Sequence, residues 1–363
     1  MEVPPPTLSP RAVRGLALIA VSVVGLTAVI VFHVWPSRGR PAPHPVAAPQ
    51  PDTASTMDWI SAREGWISVL DRRAGTSTLF HTTDAGRHWS RQRVARGVET
   101  PEFFDAMHGV LASDAGTLQT SDVGRHWQVL TLPGGAHGQR PAFADARHGW
   151  VWDPPAGLFG TADGGARWRR LDGAGLPEPV PATSRLLGFR DSQRGWLAVG
   201  AALYGTTDGG ESWSALPLPP PGGWTDSGGL QIGLLSVASD NQGQLLISDS
   251  ATGWVAATAD GGATWDTPRP LPPLASNLTT SRAAGAVSWA WSASQLQVTR
   301  DAGGHWAPVA LPAWNLMRVQ ALDARTLWVA ATVIDALGIP RWTMFSTVDS
   351  GVTWIPAITP APS

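Results

Sequence analysis

The sequence predicts an all-β fold, a seven-bladed β-propeller of four-stranded blades, preceded by one N-terminal transmembrane helix. Three observations predict it. The pattern Thr-x-Asp-x-Gly-x-x-Trp occurs seven times. The seven Asp residues are 38, 41, 45, 52, 41 and 48 residues apart, a spacing that suits one four-stranded blade per copy. Ahead of the first copy, Gly15 to Trp35 form 21 residues without a formal charge.

Residues 1–14 form a short tail and residues 15–35 the expected span. At about 1.5 Å per residue, a helix of this length crosses a hydrocarbon core of roughly 30 Å. Trp35 closes it at the depth where aromatic rings favour the interface. A cleaved signal peptide carries a shorter apolar region, about 7–15 residues, with a small-residue cleavage site directly behind it. The nearest such site, Val46-Ala47-Ala48, lies well past the apolar run and is followed by Pro49. An uncleaved signal anchor is therefore expected. Arg11 and Arg14 before the span balance Arg38 and Arg40 after it, so charge does not orient it. The short tail and the large following domain place the N-terminus in the cytoplasm and the propeller outside, in a bacterial cell envelope. Residues 36–56 begin with the Pro-rich run from Pro36 to Pro51 and read as an extended linker.

The propeller is expected over residues 57–357, with a tail at 358–363. The chain is 43% hydrophobic with 40 Gly and 32 Pro, enough for a core and many turns. It has no Cys, so neither disulfides nor thiolate metal sites are available. Beyond residue 50 there are 22 Arg against 27 acidic residues, which is no nucleic-acid footprint. Several boxes follow apolar runs led by Gly-Trp, at Gly65, Gly149 and Gly195. Such short runs of Val, Leu, Trp and Phe read as half-buried strands. In the fourth unit, strand A is read at Arg185–Phe189, strand B at Trp196–Val199 and strand C at Ala202–Thr206, with strand D from Trp213. In the fifth, the run from Gly243 is strand B, and Gly253-Trp254 falls in strand C. The first and last blades each read A to D within themselves, and whether residues 52–60 add a strand across the seam is left open by the sequence.

The boxes are Asp84 with Trp89, Asp122 with Trp127, Asp163 with Trp168, Asp208 with Trp213, Asp260 with Trp265, Asp301 with Trp306 and Asp349 with Trp354. Each Asp is expected to accept backbone N–H groups of its own turn. The Gly two residues on supplies a positive φ, and the Trp folds back into the blade core. The signature resembles the Asp-box, or BNR, repeat of the sialidase-like superfamily. With its Gly-Trp strands, the unit over residues 57–357 is similar to the propeller family of the photosystem II assembly and stability factor. That resemblance implies that the box is a structural clip between strands C and D. It also implies a non-catalytic, membrane-anchored scaffold whose partner is a protein, a nascent membrane complex in the family's photosynthetic members.

In a four-stranded meander the A–B and C–D turns share one face, leaving the opposite face free to vary. Its longest connections carry Trp224, Trp314 and Arg341, candidate binding anchors because Trp and Arg dominate binding hot spots. Alternatively, each Trp covers a neighbouring blade. The Arg-rich first half, with Arg87, Arg91, Arg93, Arg125, Arg167 and Arg169, offers a surface to an acidic partner.

Catalytic constellations are not found. Sialidase chemistry requires a Tyr nucleophile, and the one Tyr, Tyr204, lies in a strand just before a box. Two facing carboxylates would serve a glycosidase, yet the propeller has only Glu64, Glu99, Glu102, Glu178 and Glu211 besides its Asp residues. His88, His126 and His305 share one box position, which repeat geometry explains better than metal binding. No cofactor or metal site is expected. A carbohydrate-binding, sialidase-like surface propeller, with Trp224 and Trp314 stacking on sugars, is the alternative.

Overall fold

The computed structural model describes residues 53–360, apart from 114–115, 136–139, 154–156, 178–184, 223–228, 239–240, 250–251, 274, 276, 281–284, 312–313, 335–337 and 339. The expected tail and membrane span, and the linker up to residue 52, lie outside the described residues. No described helix is long and apolar enough to cross a membrane.

Every sheet is an antiparallel meander of four consecutive strands. Blade 1 is β1–β4 (Thr53–Trp59, Gly65–Asp71, Thr76–Thr82, Ser90–Arg96), and blade 2 is β5–β8 (Thr100–Phe103, Gly109–Ser113, Gly116–Thr120, Gln128–Val129). Blade 3 is β9–β12 (Ala142–Phe143, Gly149–Asp153, Gly157–Thr161, Arg169–Arg170), and blade 4 is β13–β16 (Arg185–Phe189, Gly195–Val199, Ala202–Thr206, Ser214–Leu216). Blade 5 is β17–β20 (Gln231–Val237, Gly243–Ser248, Gly253–Thr258, Arg269–Pro270). Blade 6 is β21–β24 (Asn277–Thr280, Ser288–Trp291, Leu296–Thr299, Ala307–Pro308), and blade 7 is β25–β28 (Trp314–Ala321, Leu327–Ile334, Pro340–Thr347, Ile355–Ala357). The seven-bladed expectation holds, and the fourth and fifth blades have the strands read from sequence. The first strand starts at Thr53, inside the stretch assigned to the linker.

Burial grades across each blade. In blade 1, β2 and β3 bury most of their residues, while β4 is mostly exposed. The A strands line up from blade to blade, β1 beside β5, β9 beside β13, β13 beside β17 and β21 beside β25. The ring closes where β25 meets β1.

Three residues tie that seam. Gln320 accepts the Trp59 backbone N–H through Oε1 at 2.9 Å, and its Nε2 donates to Asp58 Oδ1 and the Trp59 carbonyl at 3.0 and 3.2 Å. Asp58 passes the link on by accepting the Phe103 N–H of blade 2. At the outer edge, the Ile358 N–H donates to the Gly86 carbonyl at 3.0 Å, and Trp89 Nε1 donates to the Ile358 carbonyl at 2.6 Å. Among the described residues, no strand crosses the seam. Side chains and short backbone links hold it instead.

Aromatic rings join successive blades. Trp66 of strand B stacks on Phe103 at the end of the next strand A, with centroids 3.5 Å apart, and Trp150 stacks likewise on Phe189 at 3.5 Å. Each of these strand A rings also meets its own box Trp edge-on, Phe103 with Trp127 and Phe189 with Trp213. The same arrangement explains the Gly of the Gly-Trp pair. A Cβ on Gly65, Gly109, Gly149 or Gly195 falls within 3.0 Å of the ring of Trp59, Phe103, Phe143 or Phe189 respectively.

Candidate functional site

The seven boxes repeat one hydrogen-bond design. In blade 1, the Thr82 hydroxyl donates to Asp84 Oδ1 at 2.9 Å and accepts the Gly86 N–H at 3.0 Å. Asp84 Oδ1 accepts the His88 N–H at 2.9 Å, while Oδ2 meets His88 Nδ1 at 2.6 Å. The pairs Thr120–Asp122, Thr161–Asp163, Thr206–Asp208, Thr258–Asp260, Thr299–Asp301 and Thr347–Asp349 repeat the hydroxyl-to-carboxylate bond. The backbone passes through two successive positive φ values, Ala85 at 62° and Gly86 at 74° in the first copy. The second site is Gly in all seven copies; the first is Ala, Val, Gly or Ser.

These bonds favour the ionised Asp, as hydrogen bonding to a charged form does. The backbone N–H and imidazole of His126 hold Asp122 at about 2, and the hydroxyl and N–H of Thr353 hold Asp349 at about 2. The His88 side chain and N–H take Asp84 well below the ordinary carboxylate range. His88, His126 and His305 each turn Nδ1 onto a box carboxylate, so the shared position is accounted for. Only Trp213 and Trp265 of the box Trp residues are buried; Trp89, Trp127, Trp168, Trp306 and Trp354 are half-buried. The Trp therefore covers the edge of the blade and its own box Gly, rather than filling the core in every copy.

A second recurring clip lies beside the boxes. Asp105, Asp145, Asp191 and Asp323 each accept two backbone N–H groups in the A–B turn. The box residue with the first positive φ donates its N–H to the same turn, as Val123 does to the Met107 carbonyl at 3.0 Å. The A–B and C–D turns thus share one face, as the meander predicts. The signal was present as Asp-x-x-x-Gly before strand B at Asp105, Asp145 and Asp191, but Gly-Trp alone had been singled out.

Trp224, Trp314 and Arg341 are the anchors expected on the opposite face. Trp224 lies outside the described residues. Trp314 and Arg341 prove to be strand residues rather than loop residues, at the starts of β25 and β27. Trp314 pairs with Thr332, and Thr332 with Trp342, while Arg341 pairs with Val333. The backbone therefore brings Trp314 and Arg341 to the same end of blade 7. A cavity of about 520 Å³ opens between blades 6 and 7, lined by Ser294, Gln295, Gln297, Leu311 and Asn315, the neighbour of Trp314, among others. The Arg-rich half is partly neutralised. Arg93 Nε meets buried Glu99 at 2.9 Å and Arg169 meets Glu211 at 2.5 Å. Arg87, Arg125 and Arg167 sit exposed at the boxes of blades 1 to 3.

The described Glu residues are all engaged. Glu64 faces His81 at 3.1 Å, Glu102 faces Arg140 at 3.1 Å, and Glu99 and Glu211 hold the Arg partners above. Burial of Glu99 pushes its carboxyl up against the opposing pull of Arg93. Burial takes His81 down despite Glu64. Tyr204 is half-buried in β15 beside the Leu197 strand, as its place before a box implied. Among the described residues, no three His, Cys, Asp or Glu side chains gather as a metal site.

Residues 120–223 match the family model described as the photosynthesis system II assembly factor YCF48. No curated protein matches the chain by sequence. Among solved structures, the chain is similar to YCF48 bound to D1 peptide, at 20% identity with a TM-score of 0.50, over 70% of this chain and 79% of that one. It is also similar to the GH74 xyloglucanase from Xanthomonas campestris, at 16% identity with a TM-score of 0.51, over 85% of this chain and 61% of that one. A third likeness is the extracellular domain of the putative one component system BT4673 from B. thetaiotaomicron, at 12% identity with a TM-score of 0.50, over 84% of this chain and 38% of that one. At such identities these structures speak for the fold. With its seven Asp boxes, its seven four-stranded blades and the matched segment, the chain is a BNR-type β-propeller that resembles the photosystem II assembly factor.

Proposed function

We propose that this propeller is a non-catalytic scaffold that binds a protein partner, held at a membrane by its N-terminal segment. The match of residues 120–223 to the assembly-factor model carries the reading. A similar propeller with a D1 peptide bound supports a polypeptide ligand rather than a small substrate. The side chains agree, because the described Glu residues are tied into ion pairs and the box Asp residues into turns.

The face opposite the boxes is the proposed contact surface. Trp314 and Arg341 share one end of blade 7, and Asn315, next to Trp314, lines the cavity between blades 6 and 7. Residues 15–35 are the proposed signal anchor, with the propeller outside the cytoplasm.

The test is affinity purification of the full-length protein in mild detergent, with mass spectrometry of what accompanies it. The expected result is a recurrent subunit of a membrane complex, lost when Trp224, Trp314 and Arg341 are changed to Ala together. A partner that survives the triple change moves the contact surface elsewhere. Recovery of the bait alone, in the cells that normally make it, overturns the scaffold reading.

A further inference from the structure

The packing between blades shows what one gap in the ring is shaped to hold. Five blades place Trp second in strand B, at Trp66, Trp150, Trp196, Trp289 and Trp328. Three of these indoles donate Nε1–H to the box of the following blade. Trp66 reaches the Val123 carbonyl at 3.1 Å, Trp150 reaches Gly209 at 2.8 Å and Trp196 reaches Gly262 at 3.4 Å. Blade 5 has Gln244 there, which fills the place with polar bonds to the Gly285 carbonyl and the Ser288 hydroxyl. Blade 2 has Val110, which neither spans the gap nor carries a donor.

The neighbours do not close the space that Val110 leaves. A cavity of about 410 Å³ opens between blades 2 and 3 on the box face, lined by Val110, Phe104, Phe143, Gln119, His126 and Gly164 among others. Its size lies within the about 300–1,000 Å³ usual for small-molecule sites. Phe104 covers part of Phe143, but their centroids are 5.0 Å apart and their planes 28° apart. The intact stacks close to 3.4–3.5 Å with planes 3–6° apart. Gly164 holds the box position of Val123 and Gly209. Among the described residues, no side chain donates to its carbonyl.

We propose that this cavity is a binding site for an indole ring, supplied from outside the chain in the place that a strand B Trp fills elsewhere in the ring. Phe104 and Phe143 both line the cavity and offer aromatic contact, which prefers offset or edge-on rings. The Gly164 carbonyl accepts the indole N–H, and Gln119 and His126 line the polar rim. The ring comes either from a free indole compound or from a Trp side chain of a partner protein. The site is on the box face, so it is independent of the contact surface proposed above.

The test uses the full chain in detergent and ¹⁹F NMR of two probes, 5-fluoroindole and N-acetyl-5-fluorotryptophanamide. The expected result is saturable broadening of the indole signal. Val110→Trp fills the gap from within and should weaken binding at least about tenfold, while Val110→Ala retains it. Far-UV circular dichroism and thermal melting establish that both variants fold; Val110→Trp is expected to melt higher than the parent. If the capped amino acid also binds, the cavity admits a partner's Trp; if only 5-fluoroindole binds, the ligand is a free indole. Absence of binding by both probes, or equal binding by folded Val110→Trp, overturns the proposal.

Discussion

Trp59 of the first strand stacks on Trp328 of the last blade, with ring centroids 3.4 Å apart and planes 5° apart. Both side chains are fully buried, and they lie in the first and last blades. The stack joins the two ends of the propeller where no strand crosses. A buried Trp→Ala change costs about 3–5 kcal/mol, so Trp59→Ala and Trp328→Ala should each lose stability in that range. The double variant should lose less than the sum, because the two rings share one contact. Denaturant unfolding of the four proteins checks this. Additive losses would mean that the stack does not hold the seam.

The Gly-Trp pairs yield a second expectation. An added Cβ at Gly195 falls within 3.0 Å of the Phe189 ring, and overpacking of this kind costs about 1–3 kcal/mol. Gly195→Ala should therefore destabilise by that amount, although Ala favours a strand more than Gly does. In a Phe189→Leu background the same change should cost less, since the obstructing ring is gone. An equal cost in both backgrounds would show that the ring is not the obstacle.

What could be read from the sequence was what is local. The strands of the fourth blade follow from an alternation only five residues long, and the seven boxes carry their own turn chemistry in eight residues each. The seam could not be read this way. Gln320 binds Asp58 and Trp59 across more than 260 residues, and neither spacing nor propensity selects such partners. The place of the box Trp was only half legible, because burial depends on the edge of the neighbouring blade. Trp314 and Arg341 sit in runs punctuated by Pro308, Pro312 and Pro340, yet blade 7 extends its first three strands to eight residues each and takes them in. Val110 is not legible as a gap, because a missing Trp leaves no mark in the box itself.

The first positive-φ position of the box gives a small but clean test. Ala302 adopts φ 55°, where three other copies have Gly. The left-handed region costs a non-Gly residue about 1–2 kcal/mol, and Gly loses about 0.5–1 kcal/mol more on ordering. Ala302→Gly should thus stabilise by about 0.5–1 kcal/mol. Gly209→Ala should do the reverse and more, because its Cβ comes 2.9 Å from the Ser192 carbonyl. Opposite shifts in melting temperature would bear this out; a destabilised Ala302→Gly would contradict it.

The boxes also set the response to acid. Asp122, Asp260 and Asp349 are held at about 2, by the His126 N–H and imidazole, the Thr264 hydroxyl and N–H, and the Thr353 hydroxyl and N–H respectively. An unfolded Asp titrates near 3.9. A carboxyl whose folded value is depressed contributes its full stabilisation above the unfolded value and loses it as pH falls through the folded one. The melting temperature should therefore stay level above about pH 5 and drop between about pH 4 and pH 2, with the turns of several blades failing over the same range. His126→Ala removes the imidazole from Asp122 and leaves the backbone N–H in place, so the acid-dependent loss from this box should be smaller than in the parent and complete at a higher pH. Melting curves from pH 2 to 7 decide the point. A parent protein equally stable at pH 2 and pH 6 would show that the box carboxylates do not hold the blades together.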